Sequence, residues 1–227
     1  MLEKELPAMT DYSAVKRRMN MNHVLQEWLV RCRRELESHP DHLLSFATRR
    51  AMLLKLGPLM PDARGFGREL GVGKRRRLEL AWWCASQVVP VWESTFGDRA
   101  PCDLLHLVRG YLDGGVTLEA VKAATDAQQG RLGNSPQGKD AAYLACRAMV
   151  ACGWVAVGDE LLVPDAGVSD EELKESQDPD LWDPAFLAAA ALAGGIPGTP
   201  HFSRNRMLEF WTWYLDIAVP GVCRLVR

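Results

Sequence analysis

Residues able to do chemistry are gathered between Arg49 and Arg77. Arg49 and Arg50 stand together, Arg64 and Arg68 follow in a glycine-rich stretch, and Lys74, Arg75, Arg76 and Arg77 are consecutive. So many cations could hold phosphates. With Glu69 or Glu79 as acid or base, they could also bind an anionic substrate for catalysis. Region 64–77 therefore supports two chemical readings: a nucleic-acid-binding module, or a small-molecule enzyme domain. Nucleic acid is disfavoured as a partner. The chain has a net charge of −2, two glutamates interleave with the cations, and the nearby aromatics lie on apolar faces instead of forming stacking platforms. Gly65, Gly67 and Gly71 give a spacing one residue too long for the dinucleotide fingerprint, and no GxxxxGK[ST] phosphate loop is present. The default expectation for the cation run is a solvated face or internal ion pairs.

Other candidates are sparser. His39 and His42 are three residues apart, and Cys102 and His106 are four apart, both within reach on one helical face. Neither pair has further ligands at a recognised spacing, so no metal or cofactor is expected. Nothing singles out a Cys–His pair for nucleophilic catalysis. Glu79 and Glu93 flank a tryptophan-rich segment and read as partners of nearby arginines. The six cysteines form no CxxC pair. The N-terminus lacks the apolar core of a signal peptide, and no apolar run is long enough to span a bilayer. These features predict a cytoplasmic protein with reduced, buried thiols and no membrane partner.

The elements that position these residues read as helices throughout. The segment Gly73–Phe96 is apolar around most of its circumference, as expected of a helix buried among others. It reads as the element around which the rest packs, with a kink or break at Pro90, which lacks an N–H. A first helix is predicted from a cap at Asp11 toward Glu37, and a second over Asp41–Leu56. Pro61 could open a short helix. Further helices are predicted over Pro101–Leu112, after Thr117, over Ala141–Val157, over Ala185–Ala193, and from Ser203 until Pro220 ends the last one. The expectation is an all-α fold, a single bundle of about eight to ten helices with short connections. Residues 11–157 would form the core. An acidic, loop-rich connector would span 158–183, and C-terminal helices over 184–219 would pack back on that core.

Charge is unevenly distributed. Residues 1–110 hold 18 Lys/Arg against 13 Asp/Glu, and residues 111–227 hold 9 against 16. Between Asp159 and Asp183 there are ten acidic residues and one basic residue, Lys174. Trp182 stands at the end of this stretch. There it is either a peg docking the segment on the body or an exposed anchor for a partner.

The stretch RRAMLLKLGPLMPDARGFGRELGVGKRRRLELAWWCASQVVPVWE, residues 49–93, resembles a family of helical immunity proteins from bacterial polymorphic toxin systems, immunity protein family five. The likeness rests on Arg49 and Arg50, the Arg64–Gly65 turn, Arg76 and Arg77 at the helix start, and Glu79, Trp82, Trp83, Pro90 and Trp92. A looser likeness runs to about Trp154, and none is evident from Asp159 onward. The resemblance implies a protein encoded beside a secreted toxin, often a nuclease, which it neutralises by binding without catalysis. A phosphate-binding nuclease presents a basic cleft, so clustered carboxylates would suit an inhibitor facing it. The expected toxin-facing residues are Asp165, Asp170, Glu171, Glu172, Glu175, Asp178 and Asp180, with Trp182 as anchor. The alternative is a merely soluble surface loop.

Overall fold

In a computed structural model of the chain, helix ends fall where capping side chains and glycines place them. The structure describes residues 12–57, 70–133, 140–158 and 182–225, with side chains from residue 24 onward. All described regular elements are helical: α1 (Tyr12–Ser38), α2 (Phe46–Lys55), α3 (Val72–Ser86), α4 (Val89–Thr95), α5 (Ala100–Leu112), α6 (Leu118–Gly133), α7 (Ala141–Val157), α8 (Pro184–Leu192) and α9 (Arg204–Trp213). From α9 the chain continues through a π-turn (Tyr214–Ala218) into α10 (Val219–Leu225). Asp140 caps α7 by accepting from the Tyr143 N–H at 2.7 Å. Asp183 caps α8 by accepting from Ala185 and Phe186 at 2.9 and 3.0 Å. Ser203 does the same for α9 through Arg206. Each such cap contributes about 1 kcal/mol.

Two boundaries differ from the sequence expectation, and each has a local cause. The second helix begins at Phe46, not Asp41. His42 adopts a positive φ of 52°, and its Nδ1 lies 3.0 Å from the Leu36 carbonyl at the end of α1. His39 Nδ1 accepts from the Asp41 N–H at 3.1 Å. Both histidines thus close the end of α1, and helical geometry resumes only where Ser45 accepts from the Thr48 N–H. Pro220 does not end the last helix. It falls in the first turn of α10, where a missing N–H leaves little unmet. The preceding π-turn, in which the Val219 N–H donates to the Tyr214 carbonyl, shifts the hydrogen-bond register before the proline arrives. Pro90 acts as expected: α3 stops at Ser86 and α4 restarts at Val89 with the proline in its first turn. The short helix expected at Pro61 lies outside the described residues.

The apolar side chains form two core regions. One joins α1, α2 and α8–α10, with Leu29, Met52, Leu56, Trp211, Tyr214 and Leu215 at its centre. The other joins α5, α6 and much of α7, with Leu104, Val108, Val121, Met149 and Val150. Two helices serve both. From α3, Leu80 and Cys84 enter the first region while Leu78, Ala81 and Ala85 enter the second. From α7, Leu144, Ala145 and Ala148 face the first, and Cys146, Met149 and Cys152 the second. That shared position explains why α3 is apolar nearly all round. The helix with the widest packing, however, is α7, which meets α3, α4, α5, α6 and α8. Its alanines and Gly153 let neighbours approach: a Cβ at Gly153 would stand 2.3 Å from Thr125 Oγ1 on α6. The C-terminal helices pack onto this wall, α8 on α7 and α3, and α10 on α3.

Candidate functional site

The first and last thirds of the chain meet at a buried ion pair. Arg49 on α2 and Asp183 at the start of α8 are each 4% exposed. The Arg49 Nε donates to Asp183 Oδ2 at 2.5 Å, and Nη1 donates to the Leu44 carbonyl. The guanidinium lies over Phe186 at 4.7 Å and near Phe46 and Trp211. Asp183 uses its other oxygen for the α8 cap, so the carboxylate is satisfied on both sides. A buried charge is tolerated when its partners are this complete.

Beside this pair, α2, α3, α7, α8 and the π-turn enclose a cleft of about 40 Å³, room for water or a single small group. Arg50, Arg77, Asp183, Cys84 and Tyr214 line it, and so does Gly158. Gly158 and Asp183, the described residues nearest either end of the acidic stretch, thus line the same cleft.

Two further motif cations, Arg76 and Arg77, are also turned inward. Arg76 donates to the Leu56 and Cys223 carbonyls at 3.2 and 3.3 Å, and Arg77 to the Gly57 carbonyl at 2.9 Å. Both are buried. They join the start of α3 to the end of α2, and Arg76 also reaches α10. A solvated face does not describe these two residues; groups bound to carbonyls in the interior are not placed to hold phosphate. Glu79 is 5% exposed and accepts both contacts from Arg109 Nη1, at 3.1 and 2.9 Å. Arg109 also reaches Asp113 and lies over the Trp82 ring. Hydrogen bonding to Asp113 first, and to Glu79 second, raises the Arg109 pKa, and Arg109 in turn lowers that of Asp113. Glu93, by contrast, is exposed, so the two acids flanking the tryptophan segment do not converge.

Tryptophans of the family-like stretch bind the fold together. Trp82 Nε1 donates to the Leu105 carbonyl at 3.0 Å. The Trp83 ring fills the space over Gly221 on α10, and Trp92 Nε1 donates to the Asp98 carbonyl at 2.5 Å. Arg64 and Gly65 lie outside the described residues, as do Asp165, Asp170, Glu171, Glu172, Glu175, Asp178 and Asp180. Trp182 is described, and it is docked: 8% exposed, 5.2 Å from the Phe186 ring and under the Arg147 guanidinium. Of the two roles considered for it, the peg is the one seen, because two apolar and cationic neighbours cover its ring; an exposed anchor it is not.

The thiols offer little nucleophilicity. Burial pushes Cys32 and Cys146 up to about 12 and raises Cys84 and Cys152 as well, so they stay protonated at neutral pH. Among the described residues no cluster of three or more His, Cys, Asp or Glu side chains could hold a metal, and no helix is long and apolar enough to cross a membrane.

Sequence reading missed the Arg49–Asp183 pair, whose members are 134 residues apart. Asp183 was legible only as a cap. Arg109 was missed too, although Asp113 four residues on was a signal of an ion pair on a helix face.

No curated protein matches the chain. A family model described as immunity protein Imm5 matches residues 30–221, extending past the likeness seen in the sequence to include the acidic stretch and the C-terminal helices. With the match covering α2 to α9 and both members of the buried Arg49–Asp183 pair, this chain belongs to the Imm5 immunity protein family.

Proposed function

We propose that the chain neutralises a cognate secreted toxin of a polymorphic toxin system by binding it, with no chemistry of its own and no cofactor. The whole chain acts as one domain in the cytoplasm of the producing cell. The observation that carries this reading is the inward orientation of Arg49, Arg76, Arg77 and Glu79 in a chain of the Imm5 family. Residues that looked chemically able hold helices together, which leaves recognition to the exterior. The strongest charge feature of the sequence is the acidic stretch, with ten carboxylates between Asp159 and Asp183. The residues flanking it, Gly158 and Asp183, line one cleft, and the Arg49 pair and the Trp182 peg fix its C-terminal side. A segment tethered at both ends loses less freedom on binding than a free tail. Its charge suits the basic cleft of a nuclease, and we assign Asp165, Asp170, Glu171, Glu172, Glu175, Asp178 and Asp180 to that contact.

The test begins with the toxin domain encoded by the neighbouring reading frame. Co-expression of this chain should rescue growth, and the purified proteins should associate. Replacing Asp170, Glu171, Glu172 and Glu175 by Ser should slow association about 10-fold or more at low salt and much less at high salt. An unchanged association rate would remove the acidic stretch from the interface.

A further inference from the structure

We propose that the surface of α1 and α2 centred on Trp28 is a second contact site, which takes a carboxylate-bearing segment of the toxin partner. The proposal rests on the reading above that the partner is a toxin protein. Trp28 is half-buried and packs its inner side on the first core region. Two cations cover its ring: the Arg31 guanidinium, one turn further along α1, at 5.0 Å from the centroid, and the Lys55 ammonium, at the end of α2, at 4.9 Å.

Several other cations are answered by carboxylates. Arg33 pairs with Asp216, Arg109 with Glu79, and Arg204 with Asp41. Among the described residues no carboxylate forms an ion pair with Arg31 or Lys55. Two like charges brought to one ring repel each other, and the indole face offsets that only in part. A carboxylate bound beside the ring would offset that repulsion and gain charge-assisted hydrogen bonding from the cations. Val24, one turn before Trp28 and 41% exposed, extends the patch with apolar surface, and Arg34, one turn beyond Arg31, extends it with charge. An aromatic ring framed by arginine and lysine beside apolar surface is the composition of an interface hot spot.

The chemistry favours a protein over a nucleic acid. There is one aromatic ring here, not a row on which successive bases could stack. Glu27 also lies on the same exposed stripe of α1, where it repels any anion, a continuous line of phosphates more than a single carboxylate.

The experiment measures association of the full-length chain with the purified toxin domain from the neighbouring reading frame. The variants are Trp28→Ala and the pair Arg31→Ala with Lys55→Ala. Each should weaken binding about 10-fold or more, mainly by faster dissociation, and the double variant should flatten the salt dependence. Arg31 is exposed and Lys55 half-exposed, so the double variant tests the site even if Trp28→Ala disturbs packing; a thermal melt of each confirms the fold. Unaltered binding by the double variant, while the parent chain binds, would overturn this site and leave the toxin-binding reading standing. A parent chain that fails to bind would overturn both. Two further results would replace the occupant: a single-stranded oligonucleotide bound by the parent and lost in the double variant, or a dimer of the chain alone that Trp28→Ala dissociates.

Discussion

Arg49 is the side chain whose loss the fold would feel most, and the reason is Asp183. Arg49→Met leaves a carboxylate buried at 4% exposure with one oxygen unanswered. Removing one partner of such a pair costs about 3–5 kcal/mol, most of it the penalty on the charge left behind. Asp183→Ser keeps an acceptor for the α8 cap but strands the guanidinium among Phe46, Phe186 and Trp211, so it should cost a similar amount. The double variant, Arg49→Met with Asp183→Ser, strands no charge, leaving only the Leu44 carbonyl without its donor, and methionine fills the aromatic pocket. Its loss should fall well below the sum of the singles. A double-mutant cycle from urea denaturation measures this directly; additive losses would show that the two side chains do not depend on each other.

At the scale of elements, α7 depends on smallness where it crosses α6. Gly153→Ala would bring a methyl group to 2.3 Å from Thr125 Oγ1 and 3.0 Å from its Cγ2. Thr125 is fully buried, and its hydroxyl donates to the Val121 carbonyl, so it has nowhere to turn. The substitution should destabilise by about 1–3 kcal/mol. Adding Thr125→Ala removes both clashing atoms and should recover most of the loss, a rescue read from the shift in thermal midpoint. If the double variant were no more stable than Gly153→Ala alone, the crossing would not be the cause. The helices themselves were legible because their signals are local: Asp183 and Ser203 announce starts, and Pro90 announces a break. The late start of α2 was hidden, since it depends on His42 reaching back to a carbonyl six residues earlier. The continuation past Pro220 was hidden as well, because a π-turn leaves no mark in hydrophobic spacing. The site was less legible than the fold. The cations of the family-like stretch were visible by type, but their inward direction comes from partners 20 to 147 residues away, and spacing within a helix carries no trace of that.

For the molecule as a whole, the thiols test whether the two core regions stand or fall together. Cys32 and Cys84 sit in one region, Cys146 and Cys152 in the other, and α3 and α7 are the wall between them. Burial raises all four, Cys32 and Cys146 to about 12. In the unfolded chain a thiol ionises near its ordinary value of 9.0, so above that pH the unfolded state releases protons that the folded state keeps. Stability is thus fully present below about pH 9 and falls as pH rises toward the folded values, by up to roughly 1.4 kcal/mol per pH unit for each thiol. The urea midpoint should be level between pH 7 and 8 and drop steeply by pH 10. Cys32→Ala with Cys146→Ala should flatten that drop, because one ionising group has left each region. An equally steep drop in the double variant would assign the alkaline loss to other groups. Because the regions share α3 and α7, neither can open without stripping one side of the wall. A single Cys→Ala change in either region should therefore shift one common transition, with helix content and tryptophan fluorescence moving together.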